Sequence, residues 1–368
     1  MKRLDQLNIL RFIAAFLIVI YHYGKETFPF TVEPLIRIPT GGNHLVSLFF
    51  VLSGFVMVYV YYPQAAEGIN WKGFMVKRVS RFWPLYIVTV FMILPFRWGV
   101  PPHTLTGLVL SLLMVQAWIP PYPIAFNGPS WAMSVFVFIY SLFPFLLKWL
   151  RKHGLRRSFI LTAAIWLLSQ IVNHWLFNLP DPETLQQLMP VILWNPLLQF
   201  NSFLIGAFTG LYYRERGMLK PANPKRNLAQ LSAGLLIWAA FIFLRGDLQR
   251  LIPFNLLYAN GLIAPLYAWI IYSLARDTTR VSETLQTPWL VRLGDLSFSI
   301  YLLQSPLNTL YLYFIQERVE NLLPYPWVGH LHFYLFLPGL LLAAYLSRNW
   351  FEIPAQKFLR RRLLPAKN

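Results

Sequence analysis

The chain has 368 residues, of which 57% are hydrophobic and only 12% charged, and its mean hydropathy is +0.48. Soluble domains carry roughly 25% charge, so this composition argues against a water-soluble enzyme, a fibrous protein or a disordered chain, and makes a lipid bilayer the expected solvent. The net charge of +18 comes from 32 Lys and Arg against 14 Asp and Glu. It fits the excess of basic residues in the cytoplasmic loops of membrane proteins; no RNP, helix-turn-helix or zinc-finger pattern accompanies it, so nucleic acid is not an expected partner. The chain has no cysteine, which excludes disulfides, thiolate nucleophiles and Cys-ligated zinc.

The first apolar stretch, 7–23, follows a basic start but lacks a small-x-small cleavage site and contains Arg11. It is expected to be a retained helix rather than a cleaved signal peptide. Further stretches of spanning length follow at 44–62, 82–97, 131–148, 158–178, 191–213, 227–244, 252–275, 293–316 and 332–350. The fold class expected is therefore an all-α polytopic membrane protein with about ten transmembrane helices. The stretch 104–118, flanked by Pro101, Pro102, Pro120, Pro121 and Pro123, is expected to be re-entrant or interfacial. With it left out of the count, 25 of the Lys and Arg residues fall on the same side as Lys2 and Lys367, and six fall opposite. That asymmetry places both termini in the cytoplasm. The whole of 1–368 is expected to form one membrane domain with no fused soluble domain.

Several residues in these stretches carry chemistry. Arg11 sits inside an apolar span, where a charge is costly and usually functional, although an arginine near a helix end can also snorkel to the interface. His22 lies eleven residues later, about 20° from Arg11 around a helix and about 16 Å further along it. Flanked by Tyr21 and Tyr23, it reads as an ionisable group near the outer boundary or as part of an aromatic belt. Arg78 and Arg81, in VKRVSRFWPLY (76–86), share a helix face and can clamp one phosphate; they also fit plain inner-loop charge. Pro84 is expected to limit how far a preceding helix continues undisturbed. Ser53 and Gly54, in FFVLSGF (49–55), form a small pair suited to close helix packing. In NGPSWAMSV (127–135), Asn127, Trp131 and Ser134 lie where a helix start offers unpaired N–H donors, or simply an ordinary cap. Gln304 is a polar residue of LGDLSFSIYLLQSPL (293–307), placed to hydrogen-bond a neighbouring helix. No histidine shows metal-ligand spacing, so no metal is expected.

Taken in order, Arg11 and His22, FFVLSGF, Arg78-x-x-Arg81, NGPSW and SFSIYLL resemble the acyltransferase 3 family of bacterial integral-membrane O-acyltransferases over nearly the whole chain. Members take an acyl group, often acetyl from cytoplasmic acetyl-CoA, and deliver it to a carbohydrate hydroxyl on the outer side of the cytoplasmic membrane. The resemblance implies His22 as the catalytic histidine and Arg11, Arg78 and Arg81 as donor-binding residues. Acyl-CoA would then be a co-substrate rather than a bound cofactor, and the acceptor an exported or envelope polysaccharide or a lipid-linked saccharide. The Arg11–His22 separation is comparable to the reach of an extended pantetheine arm. Ser53, Asn127, Trp131, Ser134, Phe136 and Gln304 are supporting candidates. Two positions depart from the family pattern. Phe136 stands where a glutamate is usual, and Gln304 where a histidine is frequent. A general-base histidine is commonly oriented by a carboxylate, so Phe136 leaves room for a catalytically impaired member. A transporter or flippase of a lipid-linked sugar is the other reading kept open.

Overall fold

The computed structural model of the chain describes residues 3–219, 223–322 and 327–364. Helix accounts for 81% of it, and no strand forms among the described residues. Lys2, Lys220 and Lys367, counted above among the inner charges, lie outside the described residues. The helices are α1 (Asn8–Tyr23), α2 (Leu45–Tyr61), α3 (Trp71–Arg97), α4 (Leu105–Leu112), α5 (Trp131–Phe177), α6 (Pro182–Trp194) and α7 (Pro196–Tyr212). They continue with α8 (Pro224–Arg250), α9 (Ala264–Arg276), α10 (Arg280–Leu285), α11 (Pro288–Tyr311), α12 (Glu317–Leu322), α13 (Trp327–Leu346) and α14 (Ile353–Leu363). Short polar side chains start many of them by accepting otherwise orphaned N–H groups. Asn70 accepts from Gly73 N at 3.0 Å, Asp181 from Thr184 N at 3.0 Å and Asn223 from Arg226 N at 3.1 Å.

Seven helical stretches among the described residues are long and apolar enough to cross a membrane. The difference from the expected ten has local causes. The spans expected at 131–148 and 158–178 run together as α5, which breaks only at Gly154, where φ is 68°. That left-handed geometry suits glycine, and it falls within the basic cluster from Lys148 to Arg157. The span expected at 252–275 is corrected to α9, whose 13 residues reach about 20 Å, short of a hydrocarbon core of about 30 Å. Residues 251–263 stay out of the helix because Asn260 and Gly261 take φ of 60° and 85°. Helix α11 is diluted by Arg292, Asp295, Gln304 and three serines.

The span expected at 191–213 lies within one candidate membrane span, Pro182–Gly217, and is mostly α7, which Asn195 caps by accepting from Leu197 N at 3.0 Å, with Pro196 opening the helix. Helix α3 runs on through both Pro84 and Pro95. A proline removes one donor and the rest of a long, packed helix persists around it. The stretch 104–118 holds α4, of eight residues, and a single 3₁₀ turn, Gln116–Trp118. It is too short to span, in keeping with a re-entrant or interfacial segment.

The chain forms two compact units. The first takes residues up to Ala14, Asn43–Ile69 and Leu142–Asp295. Its core is the crossing of α2 and α7. Glycines make that crossing possible. A Cβ on Gly54 would overlap Phe203 O, one on Gly206 would overlap Val51 O, and one on Gly210 would lie 2.7 Å from Phe55 O. Small residues four apart let helix backbones approach closely where lipid offers no hydrophobic drive for association. The close-packing reading of Ser53-Gly54 is thus what the structure shows. The second unit takes Ala15–Gly42, Asn70–Ser141 and Leu296 onward. It holds most of the residues singled out above.

Candidate active site

Helix α1 carries Arg11 and His22 without interruption. Arg11 is half-buried, belongs to the first unit, and donates from Nη1 to Asn8 Oδ1 at 3.0 Å. Asn8 is itself held by Gly294, where a Cβ would lie 2.5 Å from the Asn8 Cβ. The guanidinium therefore turns back one turn toward the helix start.

His22 is solvent-accessible and belongs to the second unit. Its Nδ1 lies 3.0 Å from Gln304 Oε1 on α11. The Gln304 amide cannot be reversed, because its Nε2 donates to Tyr301 O at 2.9 Å. With Oε1 facing the imidazole, Nδ1 must carry the hydrogen, so Nε2 of the neutral ring is left as the acceptor. The tautomer follows from the hydrogen-bond network. The next residues repeat the pairing, with Tyr23 hydrogen-bonded to Ser305. Gln304 is fully buried, and the backbone of Gly42 passes so close to Tyr21 that a side chain at 42 would overlap it. His22 is thereby fixed from both sides of its helix.

A second polar group adjoins the same stretch of α11. Asn127, fully buried, donates from Nδ2 to Thr89 Oγ1 at 2.9 Å and to Leu302 O at 3.1 Å. It does not cap the helix that follows, which begins with a 3₁₀ turn, Gly128–Ser130, leading into α5. Its Oδ1 has no hydrogen-bond partner among the described residues. Ser134 is bound by Gln116, its Oγ donating to Oε1 at 2.9 Å, while Gln116 Nε2 donates to Ser130 O at 3.1 Å. Trp131 is buried at the first position of α5. No sequence signal marks Gln116, a single glutamine in an ambiguous apolar stretch.

Arg78 and Arg81 sit half-buried on α3, and aromatic rings surround the first of them. The Arg78 Cζ lies 5.5 Å from the Phe74 ring centre and 5.9 Å from that of Tyr140. Phe136, one helical turn before Tyr140, packs against that ring at 5.5 Å. The position where the family usually has glutamate thus belongs to the aromatic wall beside Arg78. Ser53 lies in the first unit and donates to Met57 Sδ at 3.5 Å. The structure gathers His22, Gln304, Asn127, Trp131, Ser134, Phe136, Arg78 and Arg81 into the second unit, and leaves Arg11 and Ser53 in the first.

An oriented imidazole with an unprotonated nitrogen can accept a hydroxyl proton, and half-buried arginines framed by aromatic rings can bind phosphate. In a helical membrane protein these are the parts of a group-transfer enzyme. The comparisons with known proteins agree. The chain belongs to the acyltransferase 3 family, whose acyltransferase domain matches residues 4–349, and it is an acyltransferase. It is 29% identical to acyltransferase MdmB of Streptomyces mycarofaciens over 317 residues, covering 82% of this chain and 78% of that protein. It is 24% identical to nodulation protein 10 of Rhizobium leguminosarum bv. viciae, covering 85% of this chain and 82% of that one. Protein 2 in the picA locus of Rhizobium radiobacter is 26% identical over 195 residues, which is 46% of this chain and 93% of that protein. No solved structure matches the chain.

Proposed function

We propose that this acyltransferase moves an acyl group, acetyl in the first instance, from cytoplasmic acyl-CoA to a carbohydrate hydroxyl of an exported or envelope glycan at the outer face of the bacterial cytoplasmic membrane. The observation that carries this reading is the His22–Gln304 pair at 3.0 Å, with the amide oriented by Tyr301 O. His22 Nε2 takes the proton of the acceptor hydroxyl as its oxygen attacks the thioester carbonyl. The new ester C–O bond forms, the C–S bond breaks, and the proton passes from the imidazolium to the departing CoA sulfur. Arg78, Arg81 and Arg11 bind the anionic donor, for which guanidinium forks suit phosphate. Asn127, Trp131, Ser134 and Ser53 support the acceptor side.

Gln304 does the orienting that the absence of a glutamate at 136 put in question, which favours an active enzyme over an impaired one. Both termini on the cytoplasmic side, as the split of loop charges favours, belong to the same reading. One membrane domain then carries out the whole reaction.

The test is mass spectrometry of surface and secreted glycans from cells with and without the gene. An acyl mass increment present only with the gene, and lost in His22→Ala, is expected. Identical glycans, with an undecorated lipid-linked sugar retained inside the cell, would instead support the flippase reading.

A further inference from the structure

Two arginines outside the site described above share one aromatic ring. Arg151 belongs to α5, three residues before that helix breaks at Gly154. Arg214 belongs to a π-helical turn, Tyr213–Gly217, that follows α7. Both reach Tyr62, just past the end of α2. The Arg214 Cζ lies 5.3 Å from the Tyr62 ring centre, and the Arg151 Cζ lies 5.5 Å from the same centre. Arg214 also lies 5.6 Å from the ring centre of Tyr59, three residues earlier. All four residues belong to the first unit.

The π turn holds Tyr62 a second time. Glu215, next to Arg214, accepts from the Tyr62 hydroxyl at 3.0 Å. One side chain of the turn thus engages the ring and its neighbour the hydroxyl. Such turns are frequent at functional sites. The carboxylate is taken up by a phenol, and no ion pair among the described residues holds Arg151 or Arg214. Arg214 Nη1 donates to Met218 Sδ at 3.6 Å, a weak acceptor.

Two guanidinium carbons this close to one ring centre are at most about 11 Å apart. Like charges at that spacing repel, and Arg214 is half-buried, where screening is weaker. A ring face answers part of the charge but none of the N–H groups. A guanidinium stacked on a ring keeps its planar edge for a bidentate acceptor, and phosphate is the anion whose geometry matches that edge. We propose that Arg151 and Arg214, held by Tyr62, form a phosphate-binding site in the first unit, additional to Arg78 and Arg81. Two sources of phosphate reach the side that the reading above assigns to the cytoplasm. One is the nucleotide end of acyl-CoA, with its ribose 3′-phosphate; the other is the headgroup of an anionic lipid. The nucleotide source rests on the donor reading, and the lipid source does not.

The experiment uses the full chain in phosphatidylcholine nanodiscs. The Arg151→Gln, Arg214→Gln double variant is compared with wild type and with Lys152→Gln, Arg216→Gln, which removes the same charge from exposed neighbouring positions. Acetyl-CoA and acetyl-3′-dephospho-CoA are titrated by calorimetry. In parallel, phosphatidylglycerol is added to the discs and the midpoint of thermal denaturation is followed. A nucleotide phosphate gives wild type a preference for acetyl-CoA of about tenfold, the scale of one contact to a charged group. That preference should vanish in the Arg151→Gln, Arg214→Gln variant and persist in the control. A lipid headgroup gives instead a midpoint that rises with phosphatidylglycerol in wild type and control and stays flat in the variant. If the double variant does not fold, Arg151→Gln alone, at an exposed position, decides by the same measurements.

Wild-type behaviour of the variant in both arms overturns the proposal. An equal loss in the Lys152→Gln, Arg216→Gln control also overturns it, because bulk charge then explains the effect. Should wild type bind no acetyl-CoA, the donor reading fails and the lipid arm alone decides the site.

Discussion

Replacing Gln304 by leucine tests the orientation of His22 with little change in packed volume. Gln304 is fully buried, so leucine fills its space while removing the one acceptor at 3.0 Å from Nδ1. Two losses follow. The imidazole no longer prefers the tautomer with hydrogen on Nδ1, and its plane is no longer fixed relative to the acceptor hydroxyl. His22 is solvent-accessible, so the loss is that of one net hydrogen bond, about 0.5–1.5 kcal/mol. If that cost falls on the transition state it lowers the rate roughly 2- to 13-fold. The assay is single-turnover transfer of labelled acetyl at saturating acetyl-CoA, so that donor affinity does not enter. Gln304→Leu should fall in that range, and Gln304→Glu, which restores an acceptor oxygen, should keep most of the rate. Wild-type turnover by Gln304→Leu, alongside an inactive His22→Ala, would refute the claim that the amide orients the base.

Other predictions address the wall, the packing, the donor site and the topology. Phe136→Glu should change the transfer rate by less than about twofold, because Gln304 already orients the base that supplies the 10²–10⁴-fold of acid–base catalysis; a large gain measured in the same assay would return the orienting role to a carboxylate. Gly206→Ala puts a methyl group onto Val51 O and should destabilise the α2–α7 crossing by about 1–3 kcal/mol, read as a lower midpoint of thermal denaturation in detergent, while Gly128→Ala, which meets nothing within 4 Å, should not. Arg81→Ala should weaken acetyl-CoA binding at least tenfold by calorimetry, the effect of losing a bond to a charged group worth about 1.5–3 kcal/mol. In the cysteine-free chain, a cysteine at Glu67 should resist an impermeant maleimide added outside intact cells and one at Lys25 should react; both residues are exposed.

The regular parts of the fold were legible because spanning helices announce themselves by length and apolarity. The failures lie where single residues decide. Asn260 and Gly261, at φ of 60° and 85°, sit in a stretch, 252–263, that hydropathy assigns to a span and that precedes α9. Hydropathy averages over such positions. At the site, spacing along one helix related Arg11 to His22, but nothing in the sequence pairs residues 282 positions apart, as His22 and Gln304 are. Gln304 stood out as a departure from a pattern, and only the structure shows that it hydrogen-bonds His22.

The most direct test of the central claim follows labelled acetyl from acetyl-CoA to the glycan in proteoliposomes holding purified protein, with acetyl-CoA supplied on the cytoplasmic side and acceptor on the other. Label in ester linkage on the acceptor is expected with wild type, and none with His22→Ala, although that variant still binds acetyl-CoA. Transfer at the wild-type rate by His22→Ala would contradict the assignment of the base, and an acceptor that never becomes labelled would contradict the proposed reaction.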